Sequence, residues 1–342
     1  MIRAAVVGAG SWGTTFAKVL ADAGCETTVL ARRNEVAAQI NEQHRNEQYL
    51  PDVTLPETLH ATTDPSAALS RSALVFLSVP SQQLRASLSA VGEHLPSDAV
   101  LVSLIKGLER GTMLRMSEVL VNEIDWDIAR LGVLSGPNIA GEIASEQPAA
   151  AAVASTDLAL AEWVAQHVTN PYFSAFANDD VVGTEYGGVL KNLIALAVGI
   201  VAGVGYGENT KAAIITRGLE EISRFAVAFG GRPETLVGLA GLGDLIATCE
   251  SPLSRNHTAG RLLGQGHPLD EVVHRMQQTA EGIGSVRPVL DLAREHGVEM
   301  PIVSQVAQVL DGRMNPADLT VHITPRNEEA LADATAGGDK IR

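Results

Sequence analysis

The stretch Gly8-Ala9-Gly10-Ser11-Trp12-Gly13 follows an apolar run, Ala4-Ala5-Val6-Val7, and opens a helical pattern that continues to Leu20. Each glycine has a physical reason to be there. The first permits a tight turn, the second lets a pyrophosphate approach the backbone, and the third allows close packing of helix on strand. The helix N-terminus behind them offers free N–H groups and partial positive charge to a diphosphate. Glycines at such a junction can also serve the turn alone, but a strand before and a helix after favour a dinucleotide site. The loop therefore predicts a bound dinucleotide, and with the residues below a nicotinamide-dependent oxidoreductase.

Outward from this loop, β-rich runs at residues 4–7, 27–31, 73–78, 99–103 and 132–134 alternate with helical stretches. That is the pattern of a parallel sheet covered by helices. A pair of runs at 149–154 and 172–175 is expected to extend the sheet. After Asp179-Asp180 long helical patterns take over, at 181–204, 209–229, around 257–276, at 285–296 and at 303–310, with no convincing strand among them. The expected fold is an α/β N-terminal Rossmann-type domain over residues 1–180 and an all-α C-terminal substrate domain over residues 181–324. The length agrees, since 342 residues exceed what one hydrophobic core usually organises. The tail over 325–342 lacks an apolar face and is expected to be disordered.

Composition narrows the classes. Hydrophobic residues at 46% and charged residues at 19% are globular values. Cys25 and Cys249 lie far apart, with neither a disulfide framework nor metal-ligand spacing, which fits a reducing compartment and no metal. Met1 leads straight into a strand, leaving no room for a signal peptide. The most apolar stretch, 193–205, is too short to span a bilayer. A soluble cytoplasmic protein without membrane insertion is expected. A formal net charge of −15 argues against nucleic-acid binding. An anionic small ligand would need cations close by, since the overall field is screened beyond roughly 8 Å.

Those cations can be found. The second strand ends Val29-Leu30-Ala31 and runs into Arg32-Arg33-Asn34, with no acid before Glu35. An acid at this point would hold the ribose hydroxyls of NAD(H), whereas arginine accommodates a 2′-phosphate. NADP(H) is therefore favoured, with NAD(H) admitted. Lys106 follows the strand ending at Ser103, in the region where open α/β sheets bind ligands; it is either an ordinary loop lysine or a ligand of an anionic or carbonyl oxygen. Lys191 and Asn192 interrupt a helix that is apolar on nearly every face. A buried lysine is desolvated, so its pKa falls and it can act as general acid or base, unless it snorkels out. The glycines of that helix make it weak alone and dependent on tight packing, which fits a core helix touching a cofactor. Asp244, in Gly241-Leu242-Gly243-Asp244-Leu245, is an orienting carboxylate or a helix N-cap. Ser254-Arg255-Asn256, at another helix start, combines hydroxyl, guanidinium and amide donors suited to a phosphate dianion.

Taken in order, the glycine loop, Tyr49-Leu50-Pro51, Lys106-Gly107, Ser135-Gly136-Pro137, Leu190-Lys191-Asn192, Asn209-Thr210-Lys211-Ala212, the Asp244 segment and Ser254-Arg255-Asn256 resemble the bacterial NAD(P)-dependent glycerol-3-phosphate dehydrogenase family. The resemblance runs to about residue 322. It implies reversible hydride transfer between NAD(P)H and dihydroxyacetone phosphate, giving sn-glycerol 3-phosphate for phospholipid synthesis, and a helical domain like that of 6-phosphogluconate dehydrogenase. It implies that Lys191 exchanges the proton at the C2 oxygen, that Lys106 lies between cofactor and substrate, and that Asp244 completes the polar site. Ser254, Arg255 and Asn256 would hold the substrate, with Gly136 and Asn138 contributing from their loop. Gly8, Gly10, Ser11, Trp12 and Gly13 would line the cofactor together with Arg32, Arg33, Lys106, Ala140, Arg255 and Glu281.

Two positions depart from the pattern. Asn138 stands where serine or threonine is expected, and Thr279-Ala280 replaces a bulkier aliphatic pair before Glu281. Two rival readings accompany the resemblance. One is a related dehydrogenase acting on another hydroxy acid or phosphorylated ketone, which a substrate tested with and without its phosphate would separate. The other is a non-catalytic NAD(P)-sensing protein, which would have no use for Lys191 and Asp244. The long helices of the second domain could also pair in a homodimer.

Overall fold

The computed structural model describes residues 1–276 and 280–319; the tail expected over 325–342 and Thr279 lie outside the described residues. Eight strands form one sheet: β1 (Arg3–Val7), β2 (Glu26–Leu30), β3 (Leu59–Thr62), β4 (Leu74–Leu77), β5 (Val100–Ser103), β6 (Leu131–Ser135), β7 (Ala149–Ser155) and β8 (Phe173–Asn178). Their order is β3-β2-β1-β4-β5-β6-β7-β8, parallel throughout except between β6 and β7. The central strands are short runs rich in Val and Leu because both of their faces are covered. One face packs Phe16, Val29, Phe76 and Phe173, and the other packs Leu77, Leu84, Leu101 and Leu120.

The direction of strand addition reverses between β1 and β4, so a crevice opens beyond their carboxyl ends. The glycine loop leads from β1 into helix α1 (Ser11–Asp22) at this crevice. The seven expected strands are present with shifted ends, and β3 was not expected. Its residues, Leu59-His60-Ala61-Thr62, alternate between buried and less buried at the sheet's outer edge, so they show no apolar run. Asn41, from the helix Asn34–Gln43, donates to the Ala61 carbonyl and accepts from the Ala61 N–H, both at 2.8 Å. A side chain thus covers backbone groups that an exposed edge would leave open.

Beyond Asn178 the described residues contain helices and turns only. Among them are α2 (Val181–Val204), α3 (Glu208–Ala228), α4 (Asp244–Glu250), α5 (Arg255–Gly264), α6 (Glu281–Glu295) and α7 (Pro301–Leu310). The sequence pattern placed the start of α6 four residues late, because Gly282, Gly284 and Pro288 obscure its helical period. Asp180 caps α2 by accepting from the Gly183 N–H at 2.8 Å. Gly205, at φ +99°, ends it, with its own N–H and that of Tyr206 returning to the carbonyls of Ala202 and Val201. The full helix is longer than the 13-residue apolar stretch suggested, and it is long and apolar enough to cross a membrane. Inside the protein, however, 78% of its most apolar stretch is buried, and helices pack around it as a core.

Part of its glycine content is explained by α5. A Cβ on Gly199 or Gly203 would lie 2.2 Å from the carbonyl oxygen of His257 or Arg261. A Cβ on Gly260 or Gly264 would lie 2.2 or 2.0 Å from the carbonyl oxygen of Leu196 or Ile200. The two helices therefore touch backbone to backbone, and Gly199 and Gly203 serve this crossing. Its consequence is positional: the N-terminus of α5 is brought to the level of Lys191 and Asn192.

Candidate active site

At the crevice the three loop glycines are distinguished by what surrounds them. Gly8 has φ +113°, and a Cβ there would lie 2.3 Å from the Ser78 carbonyl oxygen. A Cβ on Gly13 would lie 2.0 Å from the carbonyl oxygen of Gly8, while Gly10 faces open space. Helix α1 begins with no capping side chain and no acid in its first turn. The N–H groups of Gly10, Ser11, Trp12 and Gly13 have no partner among the described residues. A cradle of free donors at a helix N-terminus, with its middle position open, fits the diphosphate of a dinucleotide.

This loop floors a cleft of about 1660 Å³ that runs from Arg32 and Arg33 to Lys191 and Asn256. Pockets for drug-sized molecules span roughly 300–1,000 Å³, so there is room for a dinucleotide and a small substrate together. Arg32 and Arg33 are exposed on the wall, and Arg33 donates to Gln48 Oε1. Glu35 lies in the first turn of the following helix and not on the wall.

The opposite end of the cleft gathers three charged side chains from three separate segments. Lys106 comes from the loop after β5, Lys191 from the middle of α2, and Asp244 from the first position of α4. Two more glycines make this approach feasible. A Cβ on Gly188 would lie 2.8 Å from Ser135 Oγ and 3.5 Å from Lys106 Cγ, so its absence lets α2 sit against the strand ends. A Cβ on Gly187 would lie 2.5 Å from the Ala240 carbonyl oxygen, within a π-helical turn, Leu239–Gly243, that leads into α4.

Asp244 is 1% exposed. Lys106 donates to its Oδ2 at 2.7 Å and to the Gly136 carbonyl at 3.0 Å. Lys191 donates to Asp244 Oδ1 and, at 2.8 Å, to Thr248 Oγ1. The Thr248 hydroxyl in turn donates to the Asp244 carbonyl at 2.6 Å. Asp244 is not the N-cap, a position that belongs to Gly243; its carboxylate pairs with both lysines instead. Burial, assisted by repulsion from Lys106, pushes the Lys191 ammonium down to about 7 against the attraction of Asp244. Such a group can hold or release a proton near neutral pH. Cys249, beside the site, is buried in the helical core, and burial pushes its thiol up to about 12.

Ser254 caps α5, its hydroxyl accepting from the His257 N–H at 3.2 Å. Arg255 follows at the first helical position and borders the cleft. Asn256 donates to Asn192 Oδ1 at 2.9 Å and accepts from the Gly282 N–H at 3.0 Å, tying α5 to α2 and α6. Burial raises the carboxyl of Glu281, at the start of α6, while Arg255 and Arg110 oppose the rise.

The cleft wall includes every residue expected from the sequence except Gly13 and Gly136. Gly13 acts from behind through helix packing. Gly136, at φ +154°, would place a Cβ 2.9 Å from Ala151 Cα, and its carbonyl accepts from Lys106. Asn138 lines the cleft with both amide atoms buried and no hydrogen-bond partner among the described residues. Ala140 lines it while its carbonyl accepts from the Thr15 hydroxyl at 3.2 Å. Ala280, one of the two departures before Glu281, is buried in the helical core. Sequence reasoning did not single out Thr248, although its place one turn after Asp244 was a usable signal. It also left Asn192 as a neighbour of Lys191 without a contact of its own.

Comparison with known proteins agrees with this geometry. Residues 3–161 match a family model described as the NAD-dependent glycerol-3-phosphate dehydrogenase N-terminus, and residues 180–321 match the corresponding C-terminus. The chain is 58% identical over 332 residues to a glycerol-3-phosphate dehydrogenase (NAD(P)+) of Leifsonia xyli, covering 97% of this chain and 90% of that protein. It is 50% identical over 328 residues to one of Thermobifida fusca, covering 96% and 98%. A crystal structure of glycerol-3-phosphate dehydrogenase from Coxiella burnetii is similar at TM-score 0.85 and 34% identity, covering 93% of this chain and 97% of that one.

Proposed function

The chain belongs to the NAD-dependent glycerol-3-phosphate dehydrogenase family, and from that premise we propose the roles of the residues in its cleft. The enzyme carries out reversible, NAD(P)H-dependent reduction of dihydroxyacetone phosphate to sn-glycerol 3-phosphate, the glycerol backbone of phospholipids. The bound nicotinamide supplies the hydride that reaches C2. Gly8, Gly10 and the free N–H groups at Ser11, Trp12 and Gly13 hold its diphosphate, and Ala140 and Glu281 flank it. Arg32 and Arg33 take the 2′-phosphate of NADP(H), which is preferred over NAD(H).

As C2 is reduced, negative charge grows on its oxygen. Lys191 donates a proton there, and Lys106 adds a second positive charge. In the reverse direction neutral Lys191 accepts the hydroxyl proton. Asp244, gripping both ammonium groups, keeps them aimed at one point. Arg255 and Asn256 grip the remote phosphate beside the capped end of α5 at Ser254, which fixes C2 in place. Asn138 offers its unpartnered amide to a substrate oxygen, with the Gly136 carbonyl steadying Lys106 behind it.

The observation that carries this reading is the convergence of Lys106, Lys191 and Asp244 between the glycine loop and the start of α5. Lys191→Ala should abolish turnover while calorimetry finds NADPH binding within about threefold of wild type. Turnover within tenfold of wild type would remove Lys191 from the proposed role. In the same reading, residues 1–180 form the dinucleotide-binding domain and 181–324 the helical substrate domain, with the site between them drawing residues from both; the change from sheet to helices after Asn178 supports that division. A cytoplasmic setting is supported by the free thiols of Cys25 and Cys249. A homodimer through the helical half is supported by the exposed side chains of Val227, Val237 and Val273.

A further inference from the structure

We propose that Asn46 is a positioning residue for the dinucleotide loop, setting NAD(P)(H) affinity by holding the peptide that presents the Gly10 N–H. This rests on the glycine loop being the cofactor's diphosphate site. Asn46 lies in the connection between the helix Asn34–Gln43 and β3, and residues 48–53 of the same connection form part of the cleft wall. It is fully buried. Its Nδ2 donates to the Ala9 carbonyl at 3.0 Å and to Thr14 Oγ1 at 2.8 Å. A carbonyl can only accept, so the NH₂ end of the amide must be the one facing the loop.

The peptide joining Ala9 to Gly10 is trans, and its C=O and N–H point in opposite directions. Holding the Ala9 oxygen therefore turns the Gly10 N–H away from Asn46, to a side where it has no partner among the described residues. Thr14 is the other anchor, and its N–H bonds the Gly10 carbonyl at 2.9 Å. One amide thus clamps both ends of the segment that carries the free donors. The clamp is itself stiff, since the Asn46 carbonyl accepts from the N–H groups of Tyr49 and Leu50 at 3.0 and 2.7 Å. A second tie runs from the Ser11 hydroxyl to the Tyr49 carbonyl at 3.2 Å. Asn46 Oδ1, by contrast, is buried with no partner among the described residues. An unmet buried acceptor is a cost that a residue kept only for packing would avoid, so the value of this side chain lies in its donor end.

The test compares wild type, Asn46→Asp and Thr14→Val. The first variant keeps the shape but turns an acceptor toward the Ala9 carbonyl, and the second removes one of the two anchors without changing volume. For Asn46→Asp the NADPH Kd by isothermal titration calorimetry should rise at least tenfold and KM for NADPH should follow. At saturating NADPH, kcat should not fall and KM for dihydroxyacetone phosphate should change less than twofold. Thr14→Val should raise the Kd at least threefold. An NADPH Kd within twofold of wild type in both variants overturns the proposal, as does a tenfold loss of kcat with unchanged Kd. Should Asn46→Asp fail to fold, Thr14→Val decides in the same two directions. Wild-type protein that binds neither NADPH nor NADH would refute the reading of the loop itself, and the role of Asn46 with it.

Discussion

Replacing Asp244 with asparagine keeps the shape of the side chain and removes the one carboxylate shared by Lys106 and Lys191. Two unit charges about 4 Å apart interact by roughly 4 kcal/mol at an effective dielectric of about 20. At about 1.4 kcal/mol per pKa unit, that is up to about three units of support for the protonated Lys191. Water entry and side-chain relaxation return part of it, so a downward shift of at least about one unit is expected from the wild-type value of about 7. The sign follows from the chemistry. In the proposed roles ketone reduction needs protonated Lys191, so its kcat/KM should be lost as pH rises through about 7 in the wild type. In Asp244→Asn that loss should occur nearer pH 6. Alcohol oxidation needs neutral Lys191, so its rise with pH should move down by the same amount. The assay is kcat/KM for each substrate from pH 5 to pH 9, followed by nicotinamide absorbance at saturating cofactor. Titration of the substrate phosphate is common to both proteins and cancels in the difference. A midpoint that stays put or moves upward would refute the assignment of Asp244 as the charge partner of the proton-exchanging lysine.

Two further outcomes are open to direct measurement. Arg32→Gln combined with Arg33→Gln should raise KM for NADPH at least tenfold and KM for NADH less than twofold; equal effects would remove the 2′-phosphate role. Gly260→Val places a side chain where even a Cβ would lie 2.2 Å from the Leu196 carbonyl oxygen. Overpacking of this kind costs about 1–3 kcal/mol, so thermal unfolding should occur several degrees lower. KM for dihydroxyacetone phosphate should rise with it, because α5 can no longer seat its N-terminus beside Asn192; an unchanged Tm and KM would show that the crossing tolerates separation.

The division between what the chain shows in one dimension and what it shows only when folded follows the range of the interactions. The dinucleotide loop was legible because its strand, its three glycines and its helix are consecutive, and each glycine answers a local steric demand. Lys191 was legible by contrast, as a cation in an apolar helix that must be buried. The order of motifs from the glycine loop to Ser254-Arg255-Asn256 identified the family, and the alternation of strand and helix anticipated most of the sheet. The edge strand β3 escaped because half-exposed edges carry little apolar signal, and Asn46 escaped because a lone asparagine in a connection looks like any turn residue. The role of Asp244 stayed open because a carboxylate after a glycine turn can cap a helix or hold a cation, and only the arrival of Lys106 and Lys191 from distant segments decides. The glycines of α2 were visible, but their partners on α5 were not, since close approach is a property of two surfaces together. The sequence by itself determined which chemical groups are present and which cofactor they suit. The tertiary structure alone decided which charges share a carboxylate, because that depends on distances between residues far apart in the chain.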